Sequence, residues 1–200
     1  MTDDRSERSF RPLTSEHLSR LALLAESDHS EFCRNHPEWA ADLLACCVVQ
    51  GGARHYLRGD RGIKDLDLYL FYALPVGRTG AQFPWNRYPR RRDFGTSELG
   101  RQLYTDADRA NPQLAKKMPL WEEFAGRRVD LMSRAIAMHP DGPRSAVRDW
   151  LAQGARRGDG SAWHLSRTPV ISLFPVLGDL WWTGADHDEA GIDKGLYGTL

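Results

Sequence analysis

The sequence predicts an α/β (α+β) fold: a small mixed sheet with flanking helices and a helical appendage toward the C-terminus. Three observations carry this. Lys64-Asp65-Leu66-Asp67-Leu68-Tyr69-Leu70 sets acidic residues against leucines with a period of two, the mark of a strand with one face toward a core. Ala45-Cys46-Cys47-Val48-Val49 is an apolar run short enough for a buried strand. Ahead of both, Leu18, Leu21, Leu24 and Ala25 recur at helical spacing and form an apolar stripe.

Taken in order, residues 1–13 are polar and charged and predict a flexible N-terminus. Thr14 or Ser15 is placed to cap the first helix, and Pro37 to open a second that runs to about Leu44. The apolar strand follows. Gly51-Gly52 breaks it, and Ala53 to Arg58 predicts a short helix. The Asp-x-Asp strand comes next. Between Leu74 and Gly126, prolines and glycines predict a loop for the first half, with Arg78, Arg87, Arg90, Arg91, Arg92 and Arg101 interleaved with aromatics. Those arginines read either as a solvated surface or as contacts to phosphate or RNA. Val129-Asp130-Leu131 alternates again as a later strand. His139 to Pro143 is a turn that opens a helical appendage over residues 139–184. Residues 185–200 are rich in Gly and Asp and predict a flexible tail.

Composition narrows the function. The 200 residues balance 27 Lys and Arg against 27 Asp and Glu, so no global basic surface for nucleic acid is indicated. Cys33, Cys46 and Cys47 form neither a disulfide framework nor a metal-type spacing, which predicts no disulfide partner and a reducing compartment. The start is no signal peptide and no apolar run approaches a membrane span, so the expectation is a cytoplasmic protein with no membrane partner. His17, His29 and His36 read as surface or capping residues.

Two carboxylates on one strand face repel each other unless a cation intervenes. Oxygen donors of this kind suit Mg²⁺ or Mn²⁺, which also take oxygens from a substrate's phosphates. A glycine turn opening a helix presents backbone N–H groups at a positive dipole end, where phosphate can sit. Asp130, opposite in face to Val129 and Leu131, is the candidate third acid. Arg128 shares its face and reads equally as an ion-pair partner or a phosphate ligand. Lys64 reads as solvent-facing.

This order resembles the nucleotidyltransferase superfamily with the DNA polymerase beta-like fold: a hydrophobic strand, Gly51-Gly52, a short helix, Asp65-x-Asp67, then the lone Asp130. The resemblance covers Leu43 to Ile136. It implies a nucleotidyltransferase-like domain over residues 14–138 that moves a nucleoside monophosphate from a nucleoside triphosphate (NTP) to a hydroxyl acceptor, whether small molecule, protein or RNA. It implies that Asp65, Asp67 and Asp130 hold Mg²⁺ or Mn²⁺ and carry the chemistry. Gly51, Gly52, Ala53, Arg54 and Arg128 would bind the nucleotide. Many members carry a Ser at or beside the second glycine; Ala53 leaves the phosphates to backbone N–H groups here. The alternative is a non-catalytic nucleotide-binding or interaction protein on the same fold, such as a toxin–antitoxin partner. A third reading, an ordinary polar strand in an unrelated fold, predicts Asp130 far from Asp65 and Asp67.

Overall fold

The computed structural model describes residues 8–59, 62–80, 83–84 and 90–184. Helix α1 (Ser15–Asn35) opens on a reciprocal cap: the Thr14 hydroxyl accepts from the His17 backbone N–H, and the His17 ring Nδ1 accepts from the Thr14 backbone N–H. Its Leu18, Leu21, Ala25 and Phe32 are buried along one stripe, as expected for the leading residues. The second expected helix shrinks to a single 3₁₀ turn (Pro37–Trp39), because Leu43 is already drawn into the sheet as a partner of Tyr72.

Strand β1 (Leu43–Val49) runs straight into α2 (Gln50–Arg58), with no intervening loop. After β2 (Leu66–Ala73) come β3 (Arg90–Asp93), the short helices α3 (Asp106–Ala110), α4 (Pro112–Ala115) and α5 (Met118–Trp121), and β4 (Arg128–Ile136). Helices α6 (Pro143–Arg156) and α7 (Gly160–Ser166) precede β5 (Val170–Phe174) and β6 (Leu180–Trp182). These strands build one mixed sheet in the order β3-β4-β2-β1-β5-β6. Only the β2–β4 pair is parallel; it needs the long crossover that carries β3 and the three short helices.

The two faces of the sheet hold separate cores. Leu66, Leu68, Leu70 and Tyr72 of β2 join the residues of α1 on one side. Tyr69 and Phe71 join Val147 and Leu151 of α6 and Leu165 of α7 on the other. Each fully buried leucine contributes roughly 1.5–3 kcal/mol relative to exposure. Cys46 and Cys47 are interior residues of β1 facing opposite cores, where burial pushes both thiols up.

Three expectations are corrected. The segment 139–184 is not wholly helical: its apolar Val170–Phe174 pairs with β1 and completes the main sheet, because β1 otherwise leaves one row of backbone groups unpaired. Residues 8–13 are tied down, since Ser9 bridges Ile63 and Leu13 is buried; residues 1–7 and the tail 185–200 lie outside the described residues. The arginine segment contains strand β3, built of Arg90-Arg91-Arg92-Asp93.

That strand owes its existence to a buried acid. Asp28 of α1 is fully buried, and its carboxylate takes Arg90 Nε at 2.7 and 2.9 Å and the Arg90 terminal nitrogen. Arg92 reaches Asp28 at 3.4 Å and also Glu31. Arg90 and Arg92 therefore face α1, and Arg91 faces the other side. No helix among the described residues is long and apolar enough to cross a membrane.

Candidate functional site

The register of the sheet brings the predicted acids together. Asp67 of β2 pairs directly with Asp130 of the parallel neighbour β4. Asp65 lies two residues before Asp67, just ahead of the strand, so all three belong to the α6–α7 face at one end of the sheet. Arg91 pairs with Asp130 from the other side. Asp130 is therefore beside Asp67 rather than remote from it.

The glycines are placed differently from expectation. Gly51 and Gly52 lie inside the first turn of α2, and the chain turns instead at Gln50, which adopts a left-handed φ of 52°. Gly52 is needed for packing: a Cβ there would meet Val48 Cγ1 at 3.1 Å and Leu66 Cδ2 at 3.5 Å. Gly51 faces open space. No side chain among the described residues caps this helix, and its N-terminus adjoins the acids: Val49, the residue preceding α2, is the β1 partner of Asp67. Ala53 is buried in the core, and Arg54 stands half-buried in the second turn.

Charge is unevenly shared among the acids. The Arg128 guanidinium donates to Asp65 Oδ2 at 2.6 Å and lies 2.9 Å from Asp130 Oδ1 through Nε. Arg91 Nε approaches Asp130 at 3.4 Å. The side chain of Asp67 makes no hydrogen bond or ion pair among the described residues. Burial, the charges of Asp65 and Asp130, and only weak relief from Arg128 hold its carboxyl well above the usual range. Asp130 is also raised, by burial first, with Arg128 and Arg91 opposing.

Several functional neighbours escaped sequence reasoning. Trp121 lies beneath both arginines, with the Arg128 guanidinium 4.7 Å and the Arg91 guanidinium 5.1 Å from its ring centroid. Asp93 accepts from the N–H groups of Gly95, Ala125 and Gly126 at 2.7, 2.7 and 2.9 Å and fixes the approach to β4. Buried Arg127 donates to the carbonyls of Leu99 and Lys64, which holds its neighbour Arg128 in place. Alternation along β3 was the one signal available for Arg91; none existed for Trp121. Lys64 does not face solvent as expected, because Asp108 draws it into an ion pair at 3.2 Å.

The donor set fits a hard divalent cation in kind, and Asp67 is a half-buried carboxylate whose side chain has no ion-pair partner among the described residues. In orientation the three are not yet gathered: among the described residues no group of three or more His, Cys, Asp or Glu side chains stands ready to hold a metal ion. Arg128 has drawn Asp65 and Asp130 to itself. Two residues along from Asp67, Tyr69 begins a hollow of about 580 Å³ lined also by Gln50, Arg134, Asp159, Ser161 and His164. No protein-family model, curated protein or solved structure matches this chain at a significant level.

Proposed function

We propose that this protein is a nucleotidyltransferase that uses Mg²⁺ or Mn²⁺ to move a nucleoside monophosphate from an NTP to a hydroxyl acceptor. One observation carries the reading: Asp67 and Asp130 are paired residues on parallel strands, Asp65 shares their face, and an uncapped helix terminus adjoins them. Arg128 and Arg91 offset Asp65 and Asp130, and Asp67 is left to share that relief at a distance, which a divalent ion would improve.

Asp65, Asp67 and Asp130 would hold the divalent ion, which when bound neutralises triphosphate charge and stabilises the in-line displacement. The leading N–H groups of α2 bind phosphate oxygens. Arg128 supplies a planar fork of donors for the same phosphates. Asp130 accepts the proton of the acceptor hydroxyl as that oxygen bonds to the α-phosphorus and pyrophosphate departs. The neighbouring hollow, of a size suited to a small ligand, is the space for the acceptor.

The test is incubation with each labelled NTP and Mg²⁺ or Mn²⁺, with cell extract as acceptor source and mass spectrometry of the product. Asp67→Asn should abolish transfer in a protein that remains folded. Transfer unchanged in that variant defeats the assignment. A second reading, a nucleotide-binding or interaction protein without turnover, is favoured by the arginine already seated on two of the acids. It predicts metal-dependent nucleotide affinity with no product.

A further inference from the structure

Arg128 occupies the position that a cation bound by Asp65 and Asp130 would need. It touches Asp65 at 2.6 Å and Asp130 at 2.9 Å while its flat face rests on Trp121. A guanidinium keeps its charge at any ordinary pH, so it cannot yield by losing a proton. It can only move. The arrangement around it is incompletely satisfied: Arg128 Nε and Asp130 Oδ1 are buried without an aligned hydrogen bond among the described residues, and the Tyr104 hydroxyl lies against the guanidinium. Buried polar atoms in that condition gain when a ligand supplies the missing geometry.

We infer that Arg128 is an exchangeable counter-ion. In the metal-free protein it neutralises Asp65 and Asp130. When a divalent ion arrives together with a triphosphate, the ion takes the carboxylates and the guanidinium turns to the phosphates, still resting on Trp121. The inference rests on the nucleotidyltransferase reading and adds an order to it. A divalent ion arriving alone would leave the guanidinium buried, unpaired and beside a second positive charge, so it binds poorly. A triphosphate arriving alone finds its best donor occupied and three carboxylates in view. The two ligands therefore favour each other, and linkage makes that coupling reciprocal. Arg91 cannot substitute, because its contact is with Asp130 alone among the three acids.

The experiment compares wild type with Arg128→Gln by two titrations. Mn²⁺ alone is followed by electron paramagnetic resonance. Inorganic tripolyphosphate with Mg²⁺, which carries the phosphates of any NTP, is followed by calorimetry. The expected result is a change of opposite sign: Mn²⁺ alone binds the variant about tenfold or more tightly, and Mg²⁺–tripolyphosphate binds it about tenfold or more weakly, within the usual span of coupling. Arg128→Lys keeps the charge without the planar fork, and should fall between the two in both titrations; it serves if the Gln variant does not fold. Loss or constancy of both affinities, with wild type still binding Mg²⁺–tripolyphosphate, overturns the exchange and leaves the enzyme reading standing. Failure of wild type to bind Mn²⁺ or Mg²⁺–tripolyphosphate under any condition overturns both.

Discussion

Replacing Asp28 by Asn should destabilise the protein more than most single changes, although Asp28 is distant from the candidate site in sequence. Its side chain is fully buried, and Arg90, itself only 16% exposed, spends two nitrogens on it. Breaking a buried pair by removing one charge costs roughly 3–5 kcal/mol, because the remaining charge stays desolvated. Here Arg92 keeps Glu31, and Arg90 keeps the Ser133 hydroxyl at 3.2 Å, so the lower end, about 3 kcal/mol, is expected. For a chain of this size that corresponds to a fall in melting temperature of about 6–12 °C. Urea unfolding followed by tryptophan fluorescence gives the free energy directly. Adding Arg90→Met should restore much of the loss, because an apolar replacement removes the stranded charge. A loss below about 1 kcal/mol for Asp28→Asn, or a double variant as unstable as the sum of the two singles, refutes the reasoning.

Three further variants test the site. Asp67→Asn should raise stability in EDTA at pH 8, since it removes a carboxyl whose charged form is desolvated and repelled by Asp65 and Asp130, even as it abolishes transfer. The sign follows from linkage: a carboxyl held above its ordinary value keeps a proton that the unfolded chain has released, so wild-type stability falls as pH rises through that interval. The advantage of the variant should therefore shrink toward pH 4, and thermal melts across pH check this. Gly51→Ala should stabilise by up to about 1 kcal/mol through helix propensity while weakening nucleotide affinity. Gly52→Ala should be less stable than Gly51→Ala by about 1–2 kcal/mol, because Val48 and Leu66 are fully buried and have little room to retreat; paired urea titrations decide it.

What could be read in advance followed from local periodicity. Alternation at Asp65–Leu70 and Val129–Leu131 located β2 and β4 and set the faces of their acids, so the site was legible once the two strands were taken as neighbours. What could not be read depended on partners far along the chain. Arg90-Arg91-Arg92-Asp93 looks like a solvated run until Asp28 is known to lie beneath it. Asp28 falls on the buried stripe of α1, between Ala25 and Phe32, but the partners that neutralise it lie far along the chain. Val170–Phe174 is an apolar run with no alternation, and only the vacant edge of β1 makes it a strand. The seating of Arg128 on two acids rather than one required the loop geometry set by Asp93 and Arg127.

The position of β1 has a consequence for how this protein comes to exist. Its two neighbours are β2, close behind it in the chain, and β5, drawn from the far end of the described residues. A nascent chain that has emerged only through β4 lacks the β5 partner of β1 and carries an open flank on its innermost strand. Such a flank invites pairing with any extended peptide nearby. Synthesis must run through β5 before the sheet can seal, which favours slow maturation and an early need for chaperone cover.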